Sequence, residues 1–156
     1  MANNQDNTDI IRVFKKNSSQ VVCGVLSEYK GRREFHIRIY VPVADEPGEF
    51  VPTRKGVTLP IEVVPDLVAA MAKLKQAISL NQVVAQIPKG KRAEVRVGLQ
   101  EFKGTPMIYV RTFTCDKEGE WRPTQKGVSV KVELLSELVD TTTELEAAAK
   151  DRGWLS

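Results

Sequence analysis

An arginine flanked by ring-bearing side chains occurs twice, each time at alternating positions of a segment typical of a β-strand. The alternating positions are His36, Arg38 and Tyr40 in the first copy, and Tyr109, Arg111 and Phe113 in the second. Successive strand residues point to opposite sides, so the intervening positions are assigned to the core; they are Phe35, Ile37, Ile39, Ile108, Val110 and Thr112. Cations that neutralise phosphates, interleaved with rings that stack unpaired bases, suit single-stranded nucleic acid, at about 1–3 kcal/mol per stacked base.

The preceding strand adds to this pattern. Each copy carries an aromatic residue and then a lysine before a glycine, Tyr29-Lys30 in the first and Phe102-Lys103 in the second, and Arg96 adds a further cation. A purely structural alternative exists, because strand aromatics pack against neighbouring strands and arginine–aromatic pairs stabilise many sheets. The recurrence of the whole pattern favours the binding interpretation.

An enzyme is not indicated. His36 is the single histidine, and Cys23 and Cys115 stand 92 positions apart with no partner at metal-ligand spacing. No nucleophile–base set, metal cluster or glycine-rich phosphate loop can be assembled, so we expect no catalytic residue, no cofactor and no metal. The two cysteines are expected to be reduced thiols.

The chain contains an internal repeat. Glu28-Tyr-Lys-Gly matches Glu101-Phe-Lys-Gly at an offset of 73 residues, and Gly48-Glu-Phe-Val-Pro-Thr-Arg-Lys-Gly-Val matches Gly119-Glu-Trp-Arg-Pro-Thr-Gln-Lys-Gly-Val at an offset of 71. The difference of two residues falls in a turn, where changes of length are tolerated. Two copies of this size indicate a duplication rather than a solenoid.

Each copy is predicted to hold four short antiparallel strands and one helix. Two alternating strands flank the Lys-Gly turn, a short third strand carries Pro52 or Pro123, and a brief fourth follows the second Lys-Gly. Apolar residues then recur at helical spacing; they are Val64, Leu67, Val68, Met71, Leu74 and Ile78 in the first copy, and Leu135, Leu138, Val139, Thr142 and Leu145 in the second. Pro65 is expected in the first turn of its helix.

These elements predict an α+β fold of two tandem β-β-β-β-α repeats with curved antiparallel sheets. A unit of this size is marginal alone, so we expect the repeats to pack as an intramolecular pseudo-dimer. The predicted organisation is a disordered leader at 1–20, a first repeat at 21–79, a linker at 80–92 and a second repeat at 93–156.

Charge is segregated in the second copy. Residues 91–131 hold nine basic and five acidic side chains, whereas residues 132–150 hold one basic and five acidic ones. An opposite charge on sheet and helix would direct a phosphate backbone to the sheet. A solvated acidic helix face explains part of the same asymmetry.

The motifs, in this order and twice over, resemble the transcriptional positive-cofactor-four family, whose fold is related to that of the Whirly proteins. The resemblance covers roughly residues 21–79 and 93–150, and it implies single-stranded DNA binding by a dimer fused into one chain. It assigns DNA contacts to residues that match by position; they are Tyr29, Lys30, Arg38, Arg54, Lys55, Phe102, Lys103, Arg111 and Lys126. Arg54 is matched by the neutral Gln125 in the second copy.

One departure concerns base stacking. Better-known members carry a tryptophan directly after the second-strand aromatic, where this chain has Val41 and Thr114. We therefore expect weaker or differently placed stacking. The family's coactivator role is not transferred, because the Ser/Lys-rich regulatory tail of its eukaryotic members is missing.

The sequence thus predicts largely sequence-independent binding of single-stranded DNA in transcription, replication or repair, with proteins of those processes as further partners. RNA stays open, because 2′-hydroxyl contacts cannot be read from sequence, and so does further self-association of the pseudo-dimer. The alternative is a protein-interaction module that docks a partner on the aromatic strand face. No apolar run approaches the roughly 18 residues of a membrane span, and no secretory signal is evident, so a cytoplasmic location is expected, nucleoid-associated if the chain is bacterial.

Overall fold

The computed structural model describes residues 6–77 and 81–156. The first repeat consists of β1 (Asp6–Lys15), β2 (Val21–Tyr29), β3 (Arg32–Pro42), β4 (Phe50–Pro60) and α1 (Val64–Gln76). The second consists of β5 (Gln82–Pro88), β6 (Ala93–Phe102), β7 (Thr105–Cys115), β8 (Trp121–Lys131) and α2 (Leu135–Asp151). A short 3₁₀ turn precedes each helix, at Ile61–Val63 and Val132–Leu134.

Each repeat forms one open antiparallel meander, with strand orders β1-β2-β3-β4 and β5-β6-β7-β8, and the helix follows the last strand. The α+β fold of two β-β-β-β-α repeats is therefore confirmed. Lys30 and Gly31 both have positive φ, as do Lys103 and Gly104, which is the geometry of a two-residue hairpin turn. Pro65 lies in the first turn of α1, as expected.

The predicted leader and linker each contain a strand. The expectation of disorder up to residue 20 is wrong over β1, which pairs with β2 along its whole length and buries Phe14. In the same way, β5 occupies residues 82–88 of the predicted linker. A bulge at Ile11 and another at Val84 interrupt the two-residue alternation, so the sequence pattern concealed both strands. Residues 1–5 of the leader and Ile78 of the predicted helix lie outside the described part of the chain.

The predicted third and fourth strands of each copy are a single strand. β4 runs continuously through Pro52 and Gly56, and β8 through Pro123 and Gly127. Both strands have an irregular register against their neighbours near the middle. The proline and the Lys-Gly pair on either side of that irregularity had predicted a break between two strands. The predicted number of four strands per repeat is thus correct, but the first strand of each repeat lies earlier in the chain than predicted.

The helices are exchanged between the repeats. α2 lies against β1 and β2 of the first sheet, α1 lies against β5 and β6 of the second, and the helices also pack on each other. Gly24 permits this approach, because a Cβ there would lie 2.6 Å from Cγ2 of Thr141. One continuous apolar core containing residues of both repeats results, as expected of a pseudo-dimer.

An ion-pair network fastens β1 to α2. The Arg12 guanidinium donates to Glu137 and Glu144, at 2.7 Å in each case, and lies 3.6 Å from Asp140. Glu137, followed by Glu144, raises the pKa of Arg12 above its ordinary value. Much of the acidic face of α2 therefore serves to hold the first strand, which is a structural role for that charge.

Candidate nucleic-acid interface

The outer face of each sheet carries the side chains that alternate with the core residues. Phe35, Ile37 and Ile39 lie in the core as expected, and Arg38 and Arg111 point to the opposite side. Tyr40 and Tyr109 also lie on the outer side but are only 8% and 6% exposed. The expectation that both rings are exposed is therefore wrong, and they form the floor of the outer face.

Matching contacts hold the two strand arginines. Arg38 donates from Nη1 to the Thr53 carbonyl at 3.0 Å and from Nη2 to Oγ1 of Thr58 at 2.9 Å. Arg111 donates to the Thr124 carbonyl and to Oγ of Ser129, both at 2.9 Å. These contacts use two of the five N–H donors of a guanidinium, so donors are left for an external acceptor.

A bulge in the last strand of each sheet positions the groups that hold the arginine. Arg38 pairs with Gly56 and Tyr40 with Pro52, so residues 53–55 of β4 lie opposite Ile39 alone. Oγ1 of Thr53 donates to the Ile39 carbonyl at 2.9 Å and accepts from the Lys55 amide at 3.1 Å. The proline sits where a missing donor is tolerated, and the arrangement turns residue 54 and Lys55 outward.

The second sheet repeats the bulge. Residues 124–126 lie opposite Thr112, with Thr124 donating to the Thr112 carbonyl at 2.7 Å and the Lys126 amide donating to Thr124 at 3.1 Å. The recurring Pro-Thr-x-Lys-Gly motif therefore encodes one local structure, a bulge that exposes a lysine.

The glycine of that motif makes room for the arginine. A Cβ at Gly56 or at Gly127 would lie 2.7 Å from carbon atoms of Arg38 or Arg111, respectively. A side chain at either position would displace the arginine stem, so glycine is required for close approach rather than for an unusual φ.

Each arginine lies beside lysines of the other repeat. Lys16, Lys55, Arg111 and Gln125 line one cavity of about 340 Å³. At the pseudo-symmetric place, Arg38, Arg54, Lys89 and Lys126 line one of about 230 Å³. We call these the first and second basic clusters. Both are composite, because residues of the two repeats meet there, alongside the contact between β4 and β8.

The clusters are electrostatically unfavourable in the absence of an anion. Burial, followed by repulsion from Lys55 and Arg111, lowers the pKa of Lys16. Burial, followed by repulsion from Lys126, likewise lowers the pKa of Lys89; attraction to Glu34 opposes this shift, and Arg38 adds a smaller repulsion. Burial also lowers the pKa of both arginines. An anion bound between these cations would attract each of them and raise their pKa values again.

The hairpin lysines project from the tips of β2–β3 and β6–β7. Nζ of Lys30 lies 5.3 Å from the centre of the Tyr29 ring, and Nζ of Lys103 lies 5.3 Å from the centre of the Phe102 ring. Phe102 is 55% exposed and offers its ring to solvent. The predicted aromatic-lysine pairs thus sit at one end of each outer face.

Arg96 stacks between two rings at the other end of the second sheet. Its guanidinium carbon lies 4.3 Å from the centre of the Phe113 ring and 5.6 Å from that of Trp121, and Nε donates to Glu94 at 2.6 Å. Trp121 lies on β8 and pairs with Cys115 of β7. Its indole is therefore on the strand adjacent to Thr114.

Several of the sequence-predicted residues line one of two larger cavities on the outer faces. Tyr29, His36, Arg38 and Tyr40 line a cavity of about 360 Å³ on the first sheet. Phe102, Arg111 and Phe113 line a groove of about 810 Å³ on the second, which the first basic cluster extends with Lys16 and Lys55. We call these the first pocket and the second groove. Tyr109 lies beneath the second groove, where its ring fits over Gly98.

The residues of this surface that were missed from sequence include two lysines and a tryptophan. Lys16 and Lys89 occupy the predicted leader and linker, and Trp121 was used only to establish the repeat. Extending the 73-residue offset backwards matches Lys16 to Lys89 and Phe14 to Ile87. That correspondence could have revealed both the lysines and the additional strand.

The family model described as Transcriptional Coactivator p15 (PC4) matches residues 15–70 and 89–141, one segment in each repeat. The chain belongs to this family. The membership agrees with the order of motifs, and the two matched segments place the family's unit twice in one chain.

Solved structures include similar chains. A PC4 homolog from Burkholderia pseudomallei is 25% identical, with a TM-score of 0.36 over 41% of this chain and 86% of that one. A bacteriophage T5 homolog of the eukaryotic transcription coactivator PC4, implicated in recombination-dependent DNA replication, is 24% identical, with a TM-score of 0.35 over 46% of this chain and 90% of that one.

PC4 proteins are a DNA-binding family, not an enzyme family, and the chemistry of this surface agrees with that class. Over residues 6–77 and 81–156, no group of three or more His, Cys, Asp or Glu side chains could hold a metal ion. Within those same ranges, no helix is long and apolar enough to cross a membrane.

Proposed function

We propose that the protein binds single-stranded DNA without enzymatic activity, through the outer faces of both sheets, in support of transcription, replication or repair. The observation that carries the proposal is the pair of composite basic clusters, each placed beside a surface lined with rings. Phosphates would occupy the clusters, and unpaired bases would lie on the exposed ring of Phe102 and the half-buried ring of Phe113.

The concentration of positive charge in the two basic clusters supports this role, because neighbouring cations repel one another. Lys16 and Lys89 lose enough solvation beside other cations for their pKa values to fall. A surface selected only for stability would separate or pair these groups, whereas a polyanion binds them and releases its own counterions. The rings favour single strands over duplex, since duplex DNA conceals the faces of its bases.

The bulge lysines provide the sharpest test. We expect Lys55→Ala/Lys126→Ala to weaken binding of a single strand and to reduce the slope of log K against log salt by about 1.4, since each phosphate contact contributes about 0.7. Fluorescence anisotropy of a labelled strand over a series of salt concentrations measures both effects, with duplex of the same sequence run in parallel.

Lys73→Ala/Lys150→Ala is the matched control, because it removes the same charge from exposed positions on α1 and α2. It should leave the salt slope nearly unchanged. Equal losses in the two double mutants would show non-specific attraction and contradict the assigned surface. Failure of the wild-type protein to bind single strands at low salt would reject the proposal in favour of a protein-docking surface.

A further inference from the structure

The first pocket and the second groove occupy the same place in the two repeats but differ in chemistry. The equivalent positions, at an offset of 73 residues, are polar or charged in the first repeat and mostly apolar in the second. They are Tyr29 and Phe102, Arg32 and Thr105, Glu34 and Met107, His36 and Tyr109, and Tyr40 and Phe113. The first residue of every pair lines the first pocket, and Phe102, Met107 and Phe113 line the second groove. The duplication has therefore produced two surfaces with different recognition properties.

The floor of the first pocket is a connected chain of hydrogen bonds. Oγ1 of Thr58 lies 2.9 Å from Nη2 of Arg38 and 2.8 Å from Nδ1 of His36, and Nε2 of His36 lies 2.8 Å from Oγ of Ser27. In the second repeat Tyr109 replaces the histidine. Polar groups fixed in this way are preorganised to recognise a ligand by hydrogen bonding.

Glu34 is the unusual member of this pocket. Its half-buried carboxylate forms no ion pair and no side-chain hydrogen bond within the described ranges. It lies close enough to Lys89 to influence that lysine's pKa, so it adjoins the second basic cluster. A carboxylate beside a phosphate-binding cluster repels the backbone, and its presence is explained if it accepts hydrogen bonds from a base.

Guanine is the base that fits such a carboxylate. Its N1–H and N2–H₂ groups are adjacent donors that match the two oxygens of a carboxylate, while its O6 and N7 atoms accept from arginine. Thymine presents one N–H between two carbonyls, and adenine and cytosine each present one amine beside an acceptor nitrogen. Arg32 lines the pocket two positions from Glu34, on the same side of β3, and can reach the acceptor edge.

We propose that the first pocket selects a guanine of the bound strand through Glu34, whereas the second groove stacks bases without selecting them. This inference rests on the proposed single-stranded DNA binding and adds base preference to one of its two surfaces.

The test compares two labelled strands of about 20 nucleotides, one alternating dT with dG and the other alternating dT with dI. Hypoxanthine lacks only the N2 amine, and the alternation places a purine in the pocket whatever the register. Wild-type protein should bind the dG strand about tenfold more tightly than the dI strand. Glu34→Gln should abolish the difference while binding of the dI strand persists.

Met107→Gln is the matched control at the equivalent position of the second groove, and it should retain the tenfold preference. Equal wild-type affinity for the two strands, with both bound tightly and salt-dependently, would overturn the guanine pocket and leave the proposed function intact. A preference that survives Glu34→Gln would also overturn it. Absence of binding to either strand would overturn both proposals.

Discussion

The motif Pro-Thr-x-Lys-Gly shows how single residues build the interface. Its proline lies where the strand does not need a backbone N–H donor, and its threonine hydrogen-bonds across the bulge. Its lysine projects outward, and its glycine leaves room for the arginine of the neighbouring strand. The sequence identified the motif by its repetition and predicted that its lysine contacts DNA. It could not reveal the bulge, because the bonds from Thr53 to Ile39 and from Arg38 to Thr53 join different strands.

The lowered pKa values of Lys16 and Lys89 predict opposite effects of alkaline pH on binding and on stability. Both lysines lose their protons at lower pH than ordinary lysines, so affinity for single-stranded DNA should decline before the usual lysine range near about pH 10. The unfolded chain keeps those protons longer. The free energy of unfolding should therefore rise with pH through the same window, until the unfolded-state lysines also titrate.

Anisotropy and denaturant titrations over a common series of pH values measure the two effects. Lys16→Arg/Lys89→Arg is the informative variant, because arginine stays protonated throughout, and both pH dependences should flatten. Parallel changes of affinity and stability in the wild-type protein would contradict the assignment.

Each sheet begins one strand earlier in the chain than the sequence predicted. The central strands were predictable because Phe35, Ile37 and Ile39 alternate without interruption. β1 and β5 were not, because the bulges at Ile11 and Val84 place two apolar residues in succession. The N-terminus is also polar, which favoured an interpretation as disordered chain.

Because β1 contributes to the core, substitutions at two of its adjacent residues should differ in their effect on the free energy of unfolding. Phe14 is 6% exposed and belongs to the common core, whereas Val13 is 50% exposed on the outer face. Phe14→Ala should lower the free energy of unfolding by about 3–5 kcal/mol, and Val13→Ala should change it by less than about 0.5 kcal/mol. Urea denaturation followed by circular dichroism measures both. A negligible effect of Phe14→Ala would show that β1 is dispensable for the fold.

At the scale of the whole molecule, the exchange of helices makes each repeat incomplete without the other. The sequence predicted a pseudo-dimer from the marginal size of one repeat, but the apolar faces of the helices do not specify which sheet each will cover. That choice depends on contacts such as Thr141 over Gly24, which are 117 positions apart in the chain.

The two tryptophans can test whether the repeats unfold together. Trp154 packs on Arg33 of the first sheet, with 5.1 Å between the ring centre and the guanidinium carbon, and Trp121 stacks on Arg96 of the second. Because the core is shared, Trp121→Phe and Trp154→Phe should each show a single fluorescence transition that coincides with its own circular-dichroism transition. A fluorescence transition displaced from the circular-dichroism transition in either variant would indicate that the sheets unfold independently.

The unequal lining of the two outer faces gives the molecule a polarity that a symmetric homodimer lacks. In a homodimer, every substitution alters both faces, and a bound strand turned end for end meets the same surface. Here a strand that crosses both faces encounters Glu34 on one and Met107 on the other. If the proposed binding is correct, its two orientations are inequivalent, and a protein assembled from two similar halves would distinguish the direction in which a bound strand runs across it.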